Sequence, residues 1–108
     1  RNDRYYSRLN IYELSKILGL NHYHIQLTKV VEVNILEIFK NCCNFNLGYQ
    51  TWIRDTNKQQ RVQLVERLYK YTSTIYPEFD KFKLEVIIRR GSYSLMQSRL
   101  RRERRSMI

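Results

Sequence analysis

Hydrophobic positions along the chain recur with helical spacing. Leu9, Tyr12, Leu14, Ile17 and Leu18 predict a short helix from about Ser7 to Leu18, stopped by Gly19, a residue suited to the position after a helix end. From His24 to Cys43, the positions Leu27, Val30, Val31, Ile35, Ile38, Phe39 and Cys42 form a stripe wide enough for a central core helix. The β-branched run Val30, Val31 and Val33 would also suit a strand, but length and period favour the helix. Asn44 to Arg54 breaks the pattern, and its Phe45, Leu47, Tyr49, Trp52 and Ile53 predict a loop that packs onto the core.

Thr56 followed by Gln59 has the spacing of a capping box and predicts a helix from about Asn57 to Ile75, with Val62, Val65, Leu68, Tyr69, Thr72 and Ile75 on one face. Pro77 ends that helix or opens the next. Glu78 to Arg90 follows, acidic at its start and basic at its end, with Phe79, Phe82, Val86 and Ile87 facing the core. Gly91 closes it, and Ser94 with Gln97 forms a second capping signal that opens a last helix reaching Ser106. The expected fold is all-α: one domain over residues 1–108, a small bundle of about five helices with a helix-turn-helix-like basic unit at its C-terminal end. The chain starts at Arg1 without a methionine, which fits a domain excised from a longer protein.

Composition agrees with an ordinary folded domain, at 43% hydrophobic and 28% charged residues. Charged residues interrupt every apolar stretch, so no membrane-spanning helix is expected. Charge changes the picture most. Twenty basic residues against ten acidic ones give +10, which points to a polyanionic partner. Between Arg89 and Ile108 seven arginines face one acid, Glu103; that segment carries +6 and leaves +4 for the other 88 residues.

On the last predicted helix, Met96, Leu100 and Met107 fall on one stripe, and Ser94, Ser98, Arg101, Arg102 and Arg105 on the other side. The expected partner is therefore double-stranded DNA, with this helix in the major groove. Ser92, Tyr93, Ser94, Gln97 and Ser98 would approach base edges or the sugar-phosphate wall, while Arg89, Arg90, Arg99, Arg101, Arg102 and Arg105 would meet phosphates. A solvated helix end or a basic localisation tail is the plainer reading of the same residues. Arg1, Arg4, Tyr5, Tyr6 and Arg8 form a second cluster, either an arm over the backbone or an ordinary chain terminus. The nine tyrosines allow an RNA-binding alternative, although Tyr12, Tyr69 and Tyr76 lie on or beside apolar stripes.

Chemistry beyond binding has little support. Cys42 and Cys43 are adjacent, which is unsuitable for a structural disulfide, and with His22 and His24 they lack the usual spacing of a zinc site. Glycine-rich phosphate loops, nucleophile elbows and metalloprotease motifs are absent from the sequence, so no enzyme, metal, cofactor or small-molecule substrate is expected.

Four stretches carry a family resemblance: ILEIF at Ile35 to Phe39, a charged capped helix beginning near Asp55, YPEFDKF at Tyr76 to Phe82, and RLRRERR at Arg99 to Arg105. Together, from Asn34 to Arg105, they resemble the DNA-binding region of fungal Vhr-type transcription factors. This chain differs by placing RRGSYS before the basic close. The helix order is also similar to that of a BEN domain. Either resemblance implies sequence-specific duplex binding by the C-terminal helix, in a nuclear transcription regulator or chromatin-associated protein that could act as a homodimer or with other chromatin proteins. The competing class is a helical interaction or dimerisation module whose arginines only localise it.

Overall fold

The computed structural model describes residues 2–107 and contains five helices, with no strand among those residues: α1 Asp3–Ser7, α2 Ile11–Leu18, α3 Ile25–Cys42, α4 Lys58–Thr72 and α5 Lys81–Ser106. The fold is an all-α single domain, but its helices divide the chain differently from the hydrophobic pattern.

The first predicted helix starts later than expected, at Ile11, and a short helix that the pattern did not predict, α1, precedes it. Asn10 accepts a hydrogen bond from the Glu13 amide at 2.9 Å, and the Glu13 carboxylate accepts one from the Asn10 amide at 3.1 Å. This reciprocal cap starts α2 at Ile11 and leaves Arg8 to Asn10 as a turn after α1. Gly19 ends α2 with φ of 75°, as its position implied. The cap of α4 lies one residue beyond the expected one: Asn57 and Gln60 exchange both bonds at 2.8 Å, while the Thr56 hydroxyl donates to the Trp52 carbonyl. An amide side chain caps as well as a hydroxyl, and Thr56 is occupied in the preceding turn.

The larger correction concerns the C-terminal end. Asp80 caps α5 through the Lys83 amide at 2.9 Å, and the helix then continues unbroken past Gly91 to Ser106, about 39 Å for its 26 residues. No turn separates two helices there, and the helix-turn-helix-like unit is absent. Gly91 lies inside the helix because α5 crosses α3 at that point. A Cβ on Gly91 would lie 2.6 Å from both methyl carbons of Leu36. The glycine's helix-propensity cost of about 1 kcal/mol is outweighed by burial of Leu84, Val86, Ile87 and Ile88 just before it.

The core is shared by all elements beyond α1: Leu14 and Leu18 of α2, Val31, Ile35 and Phe39 of α3, Val65 and Leu68 of α4, and Phe79 with the first half of α5. A buried hydrogen bond of 2.6 Å between Ser15 and Thr28 ties α2 to α3. The aromatic loop packs inward as expected. Phe45 and Trp52 lie 5.4 and 6.2 Å from the Phe39 ring, and the Trp52 indole donates to Glu85 at 3.1 Å. Several stripe residues face solvent instead, including Leu27 and Val30 of α3, Val62 of α4 and Phe82 of α5.

Candidate nucleic-acid interface

Because α5 is continuous, its outer half has a fixed angular order. At about 100° per residue, Arg90, Tyr93, Ser94, Gln97, Arg101 and Arg104 fall on one face. Opposite that face, across a groove of about 470 Å³, stand Ser7, Arg8 and Leu9 from the end of α1 and the turn behind it. The Arg8 guanidinium lies over the Tyr93 ring, 5.5 Å from its centroid. The capping box at Asn10 sets this wall, since it ends the α1–α2 turn where Leu9 can be buried and Arg8 exposed.

Ionic partners divide the basic residues into two groups. Arg89 bonds Asp3 at 2.8 Å and Glu85 at 3.0 Å. Arg90 pairs with Glu32 and donates to the Leu9 carbonyl at 2.9 Å, joining α5, α3 and the α1–α2 turn at the groove floor. Arg99 is held by the Gly48 carbonyl at 2.6 Å, by Glu103 at 2.7 Å and by the Tyr49 ring at 4.4 Å. These three arginines hold the fold together. Arg8, Arg101, Arg102, Arg104 and Arg105 have no carboxylate partner among the described residues. All five are exposed, and their charge is available to an external anion.

The expected contact residues separate accordingly. Tyr93, Ser94, Gln97 and Arg101 line the groove, Arg102 and Arg105 stand in solvent, and Ser98 is half-buried and not among the groove's lining residues. Ser92 is a correction. It is 3% exposed, faces inward, and cannot reach a base or a phosphate. The methionine stripe also fails at its end, where Met107 is 86% exposed rather than docked. Two groove residues lie outside the contacts expected of this helix: Arg104, and Arg8, expected only in an N-terminal cluster that was either an arm over the backbone or an ordinary chain terminus. Arg104 lies three residues after Arg101 on the same face and is legible once the helix is read as continuous. Arg8 reaches the groove from 89 positions before Gln97 in the chain, a juxtaposition that no local pattern encodes. Arg1, in the N-terminal cluster, lies outside the described residues.

Elsewhere the side chains offer less. Among the described residues no group of three or more His, Cys, Asp or Glu side chains could hold a metal ion, and no helix is long and apolar enough to cross a membrane. Cys42 and Cys43 are free thiols. Burial pushes the Cys43 thiol up to about 11, against an opposing pull from Arg67, so it stays protonated and unreactive at neutral pH.

Comparison with known proteins places this domain among relatives. Residues 7–108 match the family model described as the YBL029W C-terminal domain. Over 99 residues the chain is 50% identical to a Saccharomyces cerevisiae protein named uncharacterized protein YBL029W, covering 92% of this chain and 26% of that protein. The chain thus spans about a quarter of the length of this relative. No solved structure matches.

Proposed function

The chain belongs to the family of the YBL029W C-terminal domain, and from that premise we propose that the domain binds double-stranded DNA through the outer half of α5. One observation carries the reading: five arginines without carboxylate partners gather at one end of the molecule, four of them on the last turns of a helix whose residues 101–106 are all exposed. A helix with its side chains is roughly 10–12 Å across and fits the major groove, which is about 12 Å wide. In this arrangement the arginines neutralise phosphates, and Gln97, one of the few neutral donors and acceptors on the same face, is the candidate base reader. Sequence-specific recognition, a nuclear location and a role in transcription or chromatin are part of the same proposal, which the resemblance to Vhr-type and BEN domains also suggests.

Titration of a duplex at several salt concentrations tests it. With five phosphates neutralised, log affinity falls against log salt with a slope of about −4.5, at about −0.9 per contact. A nearly flat dependence, or tighter binding to single-stranded RNA than to duplex DNA, would overturn the proposal. A second reading, an interaction or dimerisation module, is favoured by one feature. Leu27, Val30 and Val33 are exposed within roughly a third of the circumference of α3. Sedimentation as a stable dimer that Leu27→Lys dissociates would support that reading.

A further inference from the structure

The exposed arginines of α5 point around the helix, and a helix alone offers a phosphate a contact from one side only. The groove differs in having two walls. Arg101 and Arg104 come from α5, while Arg8 comes from the α1–α2 turn, stacked on Tyr93. The floor is neutral overall, because Arg90 is balanced by Glu32 and held by the Leu9 carbonyl, which fixes the two walls relative to each other.

We infer that this groove seats a phosphate of the nucleic-acid backbone, gripped by Arg8 on one side and by Arg101 and Arg104 on the other. The inference rests on the duplex-binding proposal and gives it a second contact element, the α1–α2 turn. Three guanidinium groups with no carboxylate partner among the described residues form a site for a tetrahedral oxyanion, since each can donate two parallel N–H bonds to its oxygens.

The test compares Arg8→Ala, Arg104→Ala, the double variant and Arg102→Ala, by fluorescence anisotropy on one labelled duplex over a range of salt. Arg102 lies off the groove face and serves as the comparison. Arg8→Ala is expected to weaken binding about three- to tenfold and to make the salt slope shallower by about 0.9. If Arg8 and Arg104 hold the same phosphate, their double variant departs at least threefold from the product of the single effects, whereas Arg104 and Arg102 multiply independently. Arg8→Gln, with unchanged melting, guards against a folding defect. Unchanged affinity in Arg8→Ala and Arg8→Gln, while Arg104→Ala and Arg102→Ala still weaken binding, overturns the two-sided seat and leaves duplex binding by α5 intact. Absence of duplex binding by the unaltered chain removes both. Repeating the titration in sodium phosphate and in sodium chloride of equal ionic strength separates two sources of the anion. Stronger competition by phosphate that Arg8→Ala abolishes shows a phosphate held in the groove: it supports the inference where Arg8→Ala also weakens duplex affinity, and it assigns the groove to free phosphate and overturns the inference where duplex affinity is unchanged.

Discussion

Gly91 of α5 meets Leu36 of α3 so closely that the glycine hydrogen occupies space a methyl group could not share: a Cβ there would lie 2.6 Å from Leu36 Cδ1 and Cδ2. Two opposing terms act on Gly91→Ala. Helix propensity gains about 1 kcal/mol, and overpacking costs about 1–3 kcal/mol. The expected net effect in the natural background is a loss of about 1 kcal/mol in urea unfolding. In a Leu36→Ala background the clash is gone, and the same substitution should stabilise by up to about 1 kcal/mol. An equal effect in both backgrounds would mean that the helix crossing does not determine the glycine.

Arg99 behaves as part of the fold. Its bonds to Gly48 and Glu103 and its contact with the Tyr49 ring tie the outer half of α5 to the aromatic loop. Arg99→Ala is expected to cost about 2 kcal/mol of stability, chiefly from the charged hydrogen bond to the Gly48 carbonyl. The salt slope of DNA binding by the folded variant should stay unchanged, because Arg99 neutralises Glu103 rather than a phosphate. A slope shallower by a full contact would place Arg99 on the nucleic acid.

Ser92 gives the opposite kind of test. Its hydroxyl is buried with no hydrogen-bond partner among the described residues. Burying an unpaired hydroxyl costs about 1–3 kcal/mol, so Ser92→Ala should raise the melting temperature and leave DNA affinity as it was. A destabilised Ser92→Ala would show that the hydroxyl is satisfied in solution.

The raised pKa of Cys43 makes stability depend on alkaline pH. In the unfolded chain the thiol ionises near its ordinary value of 9.0, whereas in the folded chain it holds its proton up to about 11. Between those values the unfolded state binds fewer protons than the native state, so stability is full below about 9 and falls as pH rises towards 11. Urea melts at pH 8, 9.5 and 10.5 should show a decline that is smaller in Cys43→Ala. Equal declines in the two proteins would assign the loss to other groups.

The places where the sequence was legible share a physical cause. Val31, Ile35 and Phe39 on α3, Val65 and Leu68 on α4, and Phe45 and Trp52 in the loop are all buried, because burial of large side chains dominates the choice of face. The edges of those stripes were not legible. Leu27, Val30 and Val62 have the right period but lie where no neighbouring element covers them, and coverage is a property of the assembled bundle. Ser94 and Gln97 misled for a related reason. Their spacing is that of a capping box, yet a box forms only where the backbone enters a helix from an extended conformation, and at Ser94 it is already helical. Gly91 carried the same ambiguity, because a glycine that ends a helix and one that admits a close crossing look alike in one dimension. Of the groove, the face on α5 could be traced from sequence, while its second wall at Arg8 depended on the tertiary fold.

The unbroken path of α5 has a consequence for how its charge is displayed. A free peptide corresponding to residues 94–106 would have to nucleate its own first turn against the mutual repulsion of its arginines, and helices of this length are marginal in water even for favourable sequences. In the intact chain that unfavourable first step is taken within the interior, where Leu84, Ile87 and Ile88 lock the preceding turns, and the arginine-bearing end is reached by elongation alone. Folding of the domain and alignment of its outermost cations are therefore a single cooperative event, and a lesion deep in the bundle would blunt the charged tip without touching any residue on it.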